Sequence, residues 1–205
     1  MLVQANKKQQ TVTSAARRQQ IVDAAVTVLA RDGLSQTSLG RIATEAGLSS
    51  TGLITYHFAD KDEVLITVVD HLISRCTGAL RTAVDSAAGP ADALAAYIEA
   101  FVRFQDDNRD GVRALWRLAA GWKAPGRAFA FDDEPLVAPV RGVLDDGQRG
   151  GAFRDLDSSV VAQSIVCAVE GFHELFTADP DIDTTAFIRE LQVLYRRGTE
   201  YDGRG

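Results

Sequence analysis

Hydrogen-bonding and basic side chains are concentrated between residues 38 and 61, in a pattern that suits contacts to a nucleic acid. Serine and threonine hydroxyls can bond base edges or phosphates, and a threonine methyl can pack on a thymine methyl. Tyrosine and histidine have polar tips that reach phosphate oxygens, and lysine adds positive charge. The residues of this stretch that we predict to contact double-stranded DNA are Ser38, Arg41, Ser49, Ser50, Thr51, Gly52, Thr55, Tyr56, His57 and Lys61.

The strongest base-reading side chains are missing from the second half of this stretch. Arginine, asparagine and glutamine make bidentate contacts to guanine or adenine, and none of them occurs in residues 49–58. Base specificity would then rest on the threonines, on close backbone approach at Gly52, and on Arg41 or the N-terminal residues of the chain. The alternative for Tyr56 and His57 is that both pack inside a small domain.

Two short helices separated by a turn are predicted to carry these residues. Apolar residues recur at helical spacing from Leu39 to Ala46, and Thr37 or Ser38 can cap the start of that helix by accepting a backbone N–H. Gly47 follows the last periodic residue, where glycine adopts a left-handed backbone without steric cost.

The second helix is predicted to follow this turn directly. Ser49 or Ser50 can cap it, and it carries Leu53, Ile54 and Phe58 as apolar residues. Helix, glycine turn and capped helix is the layout of a helix-turn-helix, in which the second helix enters the DNA major groove.

The residues of this segment resemble those of the TetR family of bacterial transcriptional regulators. The resemblance covers about residues 17–73. It implies an N-terminal DNA-binding domain in which Tyr56 and His57 face the DNA and Lys61 contacts a phosphate. The residues that carry it are Ile42-Ala43, Ala46-Gly47-Leu48-Ser49, Gly52, Tyr56-His57-Phe58, Lys61 and Leu65, preceded by an apolar helix from Ile21 to Leu29 and the turn Arg31-Asp32-Gly33-Leu34.

The segment departs from the pattern of that family at two positions. The family usually has one residue between the serine of the turn and the glycine, whereas Ser50 and Thr51 both intervene here. The family also often has a tyrosine where Thr55 stands. The first difference leaves the register of the base-reading residues open, and the second changes what the helix can contact.

Composition and charge fit a globular protein with a basic N-terminal end. The 205 residues are 46% apolar and 24% charged, and the formal net charge is −6. Residues 1–60 hold six Lys and Arg against four Asp and Glu, so the excess of acid lies in the remainder. Because phosphate attraction acts within a Debye length of about 10 Å, a locally basic end is sufficient for DNA binding. Charge differences of this size between the halves of a chain are also common.

The first residues of the chain are polar and basic. Residues 1–13 contain two lysines and no acid, so we predict a flexible basic arm that lies along phosphates or enters the minor groove. A disordered terminus is the alternative. A first helix is predicted from about residue 14, with Arg17 and Arg18 near its start. Their positive charges are unfavourable at the positive end of the helix dipole, and the negative charge of a DNA phosphate would compensate them.

Helical periodicity continues through the rest of the chain, and the sequence shows no strand pattern. We expect an all-α fold of about nine helices. An N-terminal three-helix helix-turn-helix DNA-binding domain would span 14–60, a linking helix about 61–87, and a C-terminal helical ligand-binding and dimerisation domain 88–205. Pro90 suits the first turn of a helix, and residues 123–135, with two prolines and no helical period, are predicted to form a loop.

The resemblance also implies a small-molecule pocket among the central helices, since pockets are mostly apolar with a few polar groups. The effector itself is unknown. For each candidate residue an ordinary core position is the alternative, because aromatic residues at helical spacing usually build the core. The candidates are Tyr97, Phe101, Phe104, Arg113, Trp116, Trp122, Phe129, Phe131, Glu170 and His173.

The last two helices are predicted over about 158–177 and 184–199. The first is apolar over more than one face, which is too much for a single buried stripe. The resemblance implies that this pair of helices forms a four-helix bundle with a second copy, through Val161, Ile165, Val169, Phe172, Phe176, Phe187, Leu191 and Leu194. A symmetric dimer would bind a palindromic site with its two DNA-binding domains one helical turn of DNA apart, about 34 Å. The alternative is a helix that is wholly buried within one chain.

The two cysteines and the N-terminus indicate the cellular compartment of the protein. Cys76 and Cys167 are far apart and have no Cys-x-x-Cys spacing, so we expect both to be reduced core residues. The N-terminus lacks an apolar signal segment, and no apolar run approaches the roughly 18 residues of a membrane span. We therefore expect a cytoplasmic protein that does not bind a membrane.

Catalytic residues, a metal site and a cofactor are not expected. An enzyme could use His71 with Cys76, or Glu170 with His173, but neither pair has a catalytic or metal spacing such as His-Glu-x-x-His. A helical adaptor that binds only proteins would leave Lys61 and the neighbouring tyrosine and histidine unexplained.

We interpret the chain as a homodimeric, sequence-specific transcriptional regulator. Its simplest form is a repressor that a small-molecule ligand releases from a palindromic operator. The main alternative is a helical small-molecule-binding or enzyme-like protein without DNA regulation.

Overall fold

Ten α-helices build the part of the chain that the structure describes, which confirms the all-α prediction. The computed structural model describes residues 2–126 and 134–201, with side chains from residue 14 onwards within those ranges. Apart from an isolated bridge between Phe153 and Glu200, these ranges contain no strand, and none of their helices is long and apolar enough to cross a membrane. A 3-10 turn, Leu34–Gln36, lies between the first two helices. The helices are α1 (Leu2–Asp32), α2 (Leu39–Glu45), α3 (Gly52–Thr55), α4 (Lys61–Asp85), α5 (Pro90–Asp107), α6 (Arg109–Gly121), α7 (Glu134–Arg149), α8 (Ser158–Glu170), α9 (Phe172–Ala178) and α10 (Thr184–Thr199).

Contacts divide the described residues into two compact units. The first unit comprises residues 2–72 and 110–126, and the second comprises 73–109 and 134–201. The division is not continuous along the chain, because residues 110–121 of α6 lie in the first unit. The sequence predicts these residues in the C-terminal domain.

One face of α1 supplies much of the core of the first unit. Ile21, Ala25, Val28 and Leu29 are fully buried, as their spacing of three and four residues predicts. Gly33 then ends the helix with a φ of 81°, a left-handed conformation that glycine adopts readily.

Helix α1 begins earlier than the sequence predicted. It starts at Leu2, whereas we expected a flexible arm over residues 1–13 and a helix start near residue 14. Residues 2–13 contain no glycine and no proline, and their lysines, glutamines and alanine favour a helix once the following residues have nucleated it. The backbone of residues 2–13 therefore extends α1.

The helix predicted over 158–177 is divided at Gly171 into α8 and α9. Its start is as predicted, because the side chain of Asp157 accepts two backbone N–H groups of α8. The side-chain amide of Gln105, on α5, donates to the carbonyl of Val169 at 2.9 Å and competes with the regular helical bond to that oxygen. Because glycine is a weak helix former, the series of backbone hydrogen bonds is interrupted at Gly171. This division produces ten helices where about nine were expected.

The two cysteines differ in their surroundings. Cys76 is buried as predicted, and burial, with a smaller contribution from the negative charge of Glu170, raises the pKa of its thiol to about 12. Cys167 is exposed on α8, so the prediction of a core position was wrong there. The neighbouring residues Ile165 and Val166 are the ones that α8 buries, and Cys167 lies on the other side of the helix.

A network around Asp106 fastens the end of α5 to the start of α10. One carboxylate oxygen of Asp106 accepts two hydrogen bonds from Arg109 (2.6 and 2.8 Å), and the other accepts the hydroxyl of Thr184 at 2.7 Å. Arg109 also donates to the carbonyl of Pro180 at 2.6 Å. Partial burial would raise the pKa of Asp106, but the bonds from Thr184 and Arg109 outweigh it and hold that pKa below 3.8.

Asp106→Asn is expected to lower the free energy of unfolding at pH 7 by about 1–2 kcal/mol, since charge-assisted hydrogen bonds to a partly buried group are lost. The carboxylate stabilises the fold at any pH well above the unfolded-state pKa of about 3.9, and this contribution is lost as the pH falls through the lower folded-state pKa. Urea unfolding at pH 7 and at pH 3 measures both effects.

Asp146→Asn is the matched control for that prediction. Asp146 pairs with Arg149 at the same spacing of three residues, but its side chain is 64% exposed. We expect a change of at most about 0.5 kcal/mol. Equal effects of the two substitutions at pH 7 would contradict a stabilising role for the Asp106 network.

Candidate nucleic-acid interface

Helix α2 and the turn after it form as the sequence predicts. The hydroxyl of Ser38 accepts the backbone N–H of Arg41 at 3.3 Å and caps α2. Gly47 has a φ of 64°, and the N–H of Leu48 reaches back to the carbonyl of Ala43 at 2.8 Å. This is a Schellman motif, which satisfies the last carbonyls of α2 and directs the chain into α3.

Helix α3 is a single turn that begins after Thr51. The carbonyl of Thr51 accepts the N–H groups of Ile54 and Thr55 at 2.9 and 3.0 Å, and Thr51 makes no side-chain cap bond. The predicted caps, Ser49 and Ser50, are therefore wrong, because the residue that directly precedes the helix is Thr51. They are exposed in the turn, which accommodates the additional residue.

The two faces of α3 differ sharply in exposure. Ile54 and Phe58 are buried at 0% and 2% exposure, and they hold α3 on the core of the first unit. Tyr56 is 82% exposed and Leu53 is 41% exposed. Because residues three apart lie on the same side of a helix, these two form one exposed face. The sequence analysis predicts Leu53 as an apolar helix residue and not as a contact, although its spacing of three residues from Tyr56 is a signal for this face.

Most of the predicted DNA-contacting residues lie at the surface of the first unit. Arg17, His57 and Lys61 are partly exposed. The hydroxyl of Thr55 donates to the carbonyl of Gly52 at 3.2 Å, so it is already used within α3. The exposed members are Ser38, Arg41, Ser49, Ser50, Thr51, Gly52, Thr55 and Tyr56.

Lys61 joins the start of α4 to the start of α2. Its ammonium donates to the carbonyl of Thr37 at 3.2 Å, and Thr37 precedes the exposed cap residue Ser38. Asp60 caps α4 by accepting the N–H of Glu63 at 2.9 Å. An ammonium has three donors, so Lys61 retains two beyond the bond to Thr37.

Arg18 has a structural role that the sequence did not indicate. Its guanidinium donates to the carbonyl of His57 at 2.6 Å, to the hydroxyl of Thr67 at 3.2 Å and to the carboxylate of Glu63 at 3.3 Å. It also lies over the ring of Phe58, with 4.0 Å between the guanidinium carbon and the ring centroid. These donors are directed at α4 and at the end of the α3 segment, and the DNA contact of Arg18 stays a prediction. Arg18 positions α3.

Arg17 and Arg41 remain at the surface. Arg17 bonds Gln20 on its own helix at 2.7 Å. Arg41 pairs with Asp32 at 3.2 Å, and its side chain is 50% exposed. The hydrogen bond from Arg31, aided by the charges of both arginines, holds the pKa of Asp32 below its ordinary value. Asp32 therefore stays ionised and orients Arg41 beside α2.

The residues predicted to line a small-molecule pocket are distributed over both units. Tyr97 is fully buried in the second unit, where its hydroxyl donates to the carbonyl of Leu136 at 2.7 Å and its ring meets Phe101 edge-on. These two are core residues, the alternative that the sequence left open. In the first unit, the indole N–H of Trp122 donates to Asp62 at 3.0 Å. Arg113 and Trp116 lie in the first unit, Phe104, Glu170 and His173 lie in the second, and Phe129 and Phe131 lie outside the described residues.

A cleft of about 230 Å³ lies between α5 and α10 in the second unit. The predicted pocket residues do not line it. Its walls include the apolar residues Leu94, Ile98 and Phe153 and the polar residues Arg189, Gln192 and Arg196.

Half of the residues predicted to meet a second copy are buried within the chain itself. Ile165, Val169, Phe172 and Phe176 have no exposed surface, so their assignment to a dimer interface is corrected. They pack within the second unit, where Phe172 also contacts Phe187 with ring centroids 5.1 Å apart.

The exposed apolar surface of the last helices involves other residues. Val161, Phe187 and Leu191 are partly exposed, and Leu194 is 61% exposed. Val160 (65%) and Leu175 (42%) were not predicted and are also exposed. We call Val160, Leu175 and Leu194 the apolar surface of α8–α10.

Comparisons with known proteins agree with this architecture. Residues 21–68 match the sequence profile of "Bacterial regulatory proteins, tetR family". The chain is 28% identical over 151 residues to the HTH-type transcriptional regulator HbdR of Aromatoleum sp. (strain CIB), covering 73% of this chain and 66% of the relative. It is 36% identical over 124 residues to the HTH-type transcriptional regulator BetI of Vibrio parahaemolyticus, covering 58% of this chain and 57% of the relative. The matches thus span less than two thirds of these curated relatives.

A solved structure extends the likeness over most of the chain. The crystal structure of a TetR transcription regulator from Haloarcula marismortui superposes with a TM-score of 0.76 at 22% identity, covering 91% of this chain and all of that one. The relatives are transcriptional regulators, which confirms the prediction that the chain is not an enzyme. Residues 21–68 therefore form a regulatory segment of the tetR family type, and the whole chain shares the all-α fold of these solved regulators.

Proposed function

We propose that the protein is a sequence-specific DNA-binding repressor that acts as a homodimer and is released from a palindromic operator by a small-molecule effector. The observation that carries this proposal is the exposed face of α3. Ile54 of α3 and Phe58 just after it fix the helix on the core, while Tyr56, with 82% exposure, extends away from it. Tyrosine offers a ring and a hydroxyl to sugar and phosphate, and Ser49 and Ser50, in the turn before α3, are also exposed.

The homodimer is supported by the apolar surface of α8–α10. Val160, Leu175 and Leu194 are exposed on three helices of the second unit, and a symmetric interface uses the same surface of both copies. Two helix-turn-helix segments would then bind two half-sites of a palindrome.

The effector would bind in the second unit and change operator affinity through a two-state equilibrium. By linkage, effector and DNA weaken each other's binding by the same factor, which is commonly about 5- to 150-fold. An effector that left operator affinity unchanged would contradict this part of the proposal.

The test is fluorescence anisotropy of labelled duplex DNA from upstream of the protein's own gene, with unlabelled random duplex as competitor. We expect tight binding that weakens steeply as salt increases and that random duplex cannot compete away. Absence of binding even at low salt would refute DNA recognition and favour a helical small-molecule-binding protein.

Lys61→Ala should weaken binding to all duplexes and reduce the slope of log K against log salt by about 0.9 per subunit, hence by about two units for the dimer. The reason is the loss of one phosphate contact from each subunit. Arg197→Ala is the control, since it removes one positive charge from an exposed site on α10. An unchanged slope in Lys61→Ala would remove Lys61 from the phosphate contacts.

A further inference from the structure

The recognition segment is unusual in the chemistry that it exposes. From Ala46 to Ala59 the chain has no Lys, Arg, Asn, Gln, Asp or Glu. The bidentate contacts that identify guanine or adenine require Arg, Lys, Asn or Gln. Along this segment, side-chain hydrogen bonding is confined to hydroxyl groups and one imidazole.

The single-turn helix α3 presents even less polarity than its sequence offers. The hydroxyl of Thr55 bonds the carbonyl of Gly52 at 3.2 Å and is held against the helix backbone. Leu53, at 41% exposure, lies three residues before the strongly exposed Tyr56 and directly before the fully buried Ile54. An aliphatic side chain therefore forms part of the exposed face.

Among the base edges in the major groove, the 5-methyl group of thymine is the one apolar feature. We propose that Leu53 is a specificity-determining residue that reads a thymine in each operator half-site through contact with its 5-methyl group. The inference rests on the proposed function, because it assigns base preference to the surface proposed to enter the groove. Leu53 recognises the methyl by excluding water and not by hydrogen bonding.

The expected size of the effect follows from the methyl group itself. Burying one such group contributes about 0.8 kcal/mol, equivalent to about fourfold in affinity. A symmetric operator contains two half-sites, so removing the methyl from both should weaken binding about 16-fold. Deoxyuridine differs from thymidine by this methyl alone, and it therefore isolates the contact.

The experiment starts from a duplex that the full-length protein selects out of a random-sequence library. Each thymine of the half-site is replaced by deoxyuridine, one symmetric pair at a time, and affinity is measured by anisotropy. For the wild-type protein we expect one pair whose replacement weakens binding about 16-fold. For Leu53→Ala the same replacement should change affinity less than twofold, because the partner of the methyl has been removed.

Two variants control for indirect effects. Leu53→Met keeps an aliphatic side chain and should retain most of the sensitivity to deoxyuridine. Arg197→Ala, on α10, should retain all of it. Circular dichroism and thermal unfolding of each variant establish that the fold is kept, and exposure of Leu53 makes a folding defect in Leu53→Ala unexpected.

The outcomes separate this inference from the proposed function. A selected duplex that lacks thymine in the half-site, or that binds equally well with deoxyuridine at every position, would overturn the role of Leu53 and leave DNA recognition standing. Full sensitivity to deoxyuridine in Leu53→Ala would assign the thymine contact to another residue. Failure to enrich any duplex would overturn the proposed function and the inference together.

Discussion

Arg18→Ala is expected to lower the free energy of unfolding by about 2 kcal/mol and operator affinity about tenfold, with no change in the salt dependence of binding. Hydrogen bonds to a charged group contribute roughly 1.5–3 kcal/mol, and Arg18 makes them to His57, Thr67 and Glu63. With a side chain that is 39% exposed, water replaces part of that contribution. Without this support the end of α3 is less firmly fixed, and the weaker positioning of the recognition segment reduces affinity.

The salt slope distinguishes a positioning role from a phosphate contact. Removing a phosphate contact reduces the slope by about 0.9 per subunit, whereas loosening α3 leaves the number of displaced counterions unchanged. Arg18→Lys should recover part of the affinity, because an ammonium can bond the carbonyl of His57 but cannot reproduce the fork of the guanidinium.

Arg17→Ala is the matched control on the neighbouring residue. Arg17 bonds only Gln20 among the interactions that the described side chains show for it, so its loss should leave stability unchanged and reduce the salt slope. Both tryptophans of the chain, Trp116 and Trp122, lie in the first unit, and their fluorescence therefore reports unfolding of the unit that contains Arg18. A reduced salt slope with wild-type stability in Arg18→Ala would support the DNA contact that the sequence predicted.

Gly147→Ala is expected to destabilise the second unit by about 3 kcal/mol. A Cβ at this position would overlap the ring of Phe153, with Cγ at 2.9 Å and two further ring carbons closer still. The ring has little freedom to withdraw. The carbonyl of Gly147 accepts the N–H groups of Ala152 and Phe153 at 2.8 and 3.1 Å, and the next residue, Arg154, donates to the carbonyl of Thr199 at 2.9 Å. Overpacking of this kind costs about 1–3 kcal/mol in well-packed cores.

Gly142→Ala provides a control of opposite sign on the same helix. A Cβ at Gly142 would have no neighbour within 4 Å, and alanine favours an exposed helical position over glycine by about 0.5–1 kcal/mol. Urea unfolding followed by circular dichroism should therefore show a lower free energy of unfolding for Gly147→Ala and a higher one for Gly142→Ala.

A double-mutant cycle tests the cause of the Gly147 effect. Phe153→Ala alone should cost about 3 kcal/mol, and adding Gly147→Ala to it should cost little more, because the ring that produces the overlap is gone. Simple additivity of the two substitutions would show that Phe153 is not responsible.

Several elements were predictable from the sequence at the level of single residues. Ser38 caps α2 and Gly47 ends it as expected, and Pro90 occupies the first turn of α5. Each of these signals acts through backbone groups within about four residues, so no knowledge of distant contacts is needed to interpret it.

Other assignments failed because the sequence shows that a residue is apolar or charged but not what it meets. Ile165 and Phe172 were assigned to a second copy, yet both are fully buried in their own chain. Cys167 was assigned to the core and is exposed. An amphipathic pattern gives the direction of an apolar face relative to its neighbours on the helix, and it does not identify which element covers that face.

The sequence by itself determined that this chain is all-α, where nearly all its helices lie, and that residues 37–61 form a helix-turn-helix, since caps, glycine turns and helical periodicity are local properties. Only the tertiary structure decided that Arg18 supports α3, that Leu53 stands exposed, and that α8 ends at Gly171. Arg18 meets partners 39 to 49 residues away, and Gln105 reaches a carbonyl 64 residues away. Burial and hydrogen-bond partners at such separations depend on how the helices pack, which is not specified by the order of residues within any one of them.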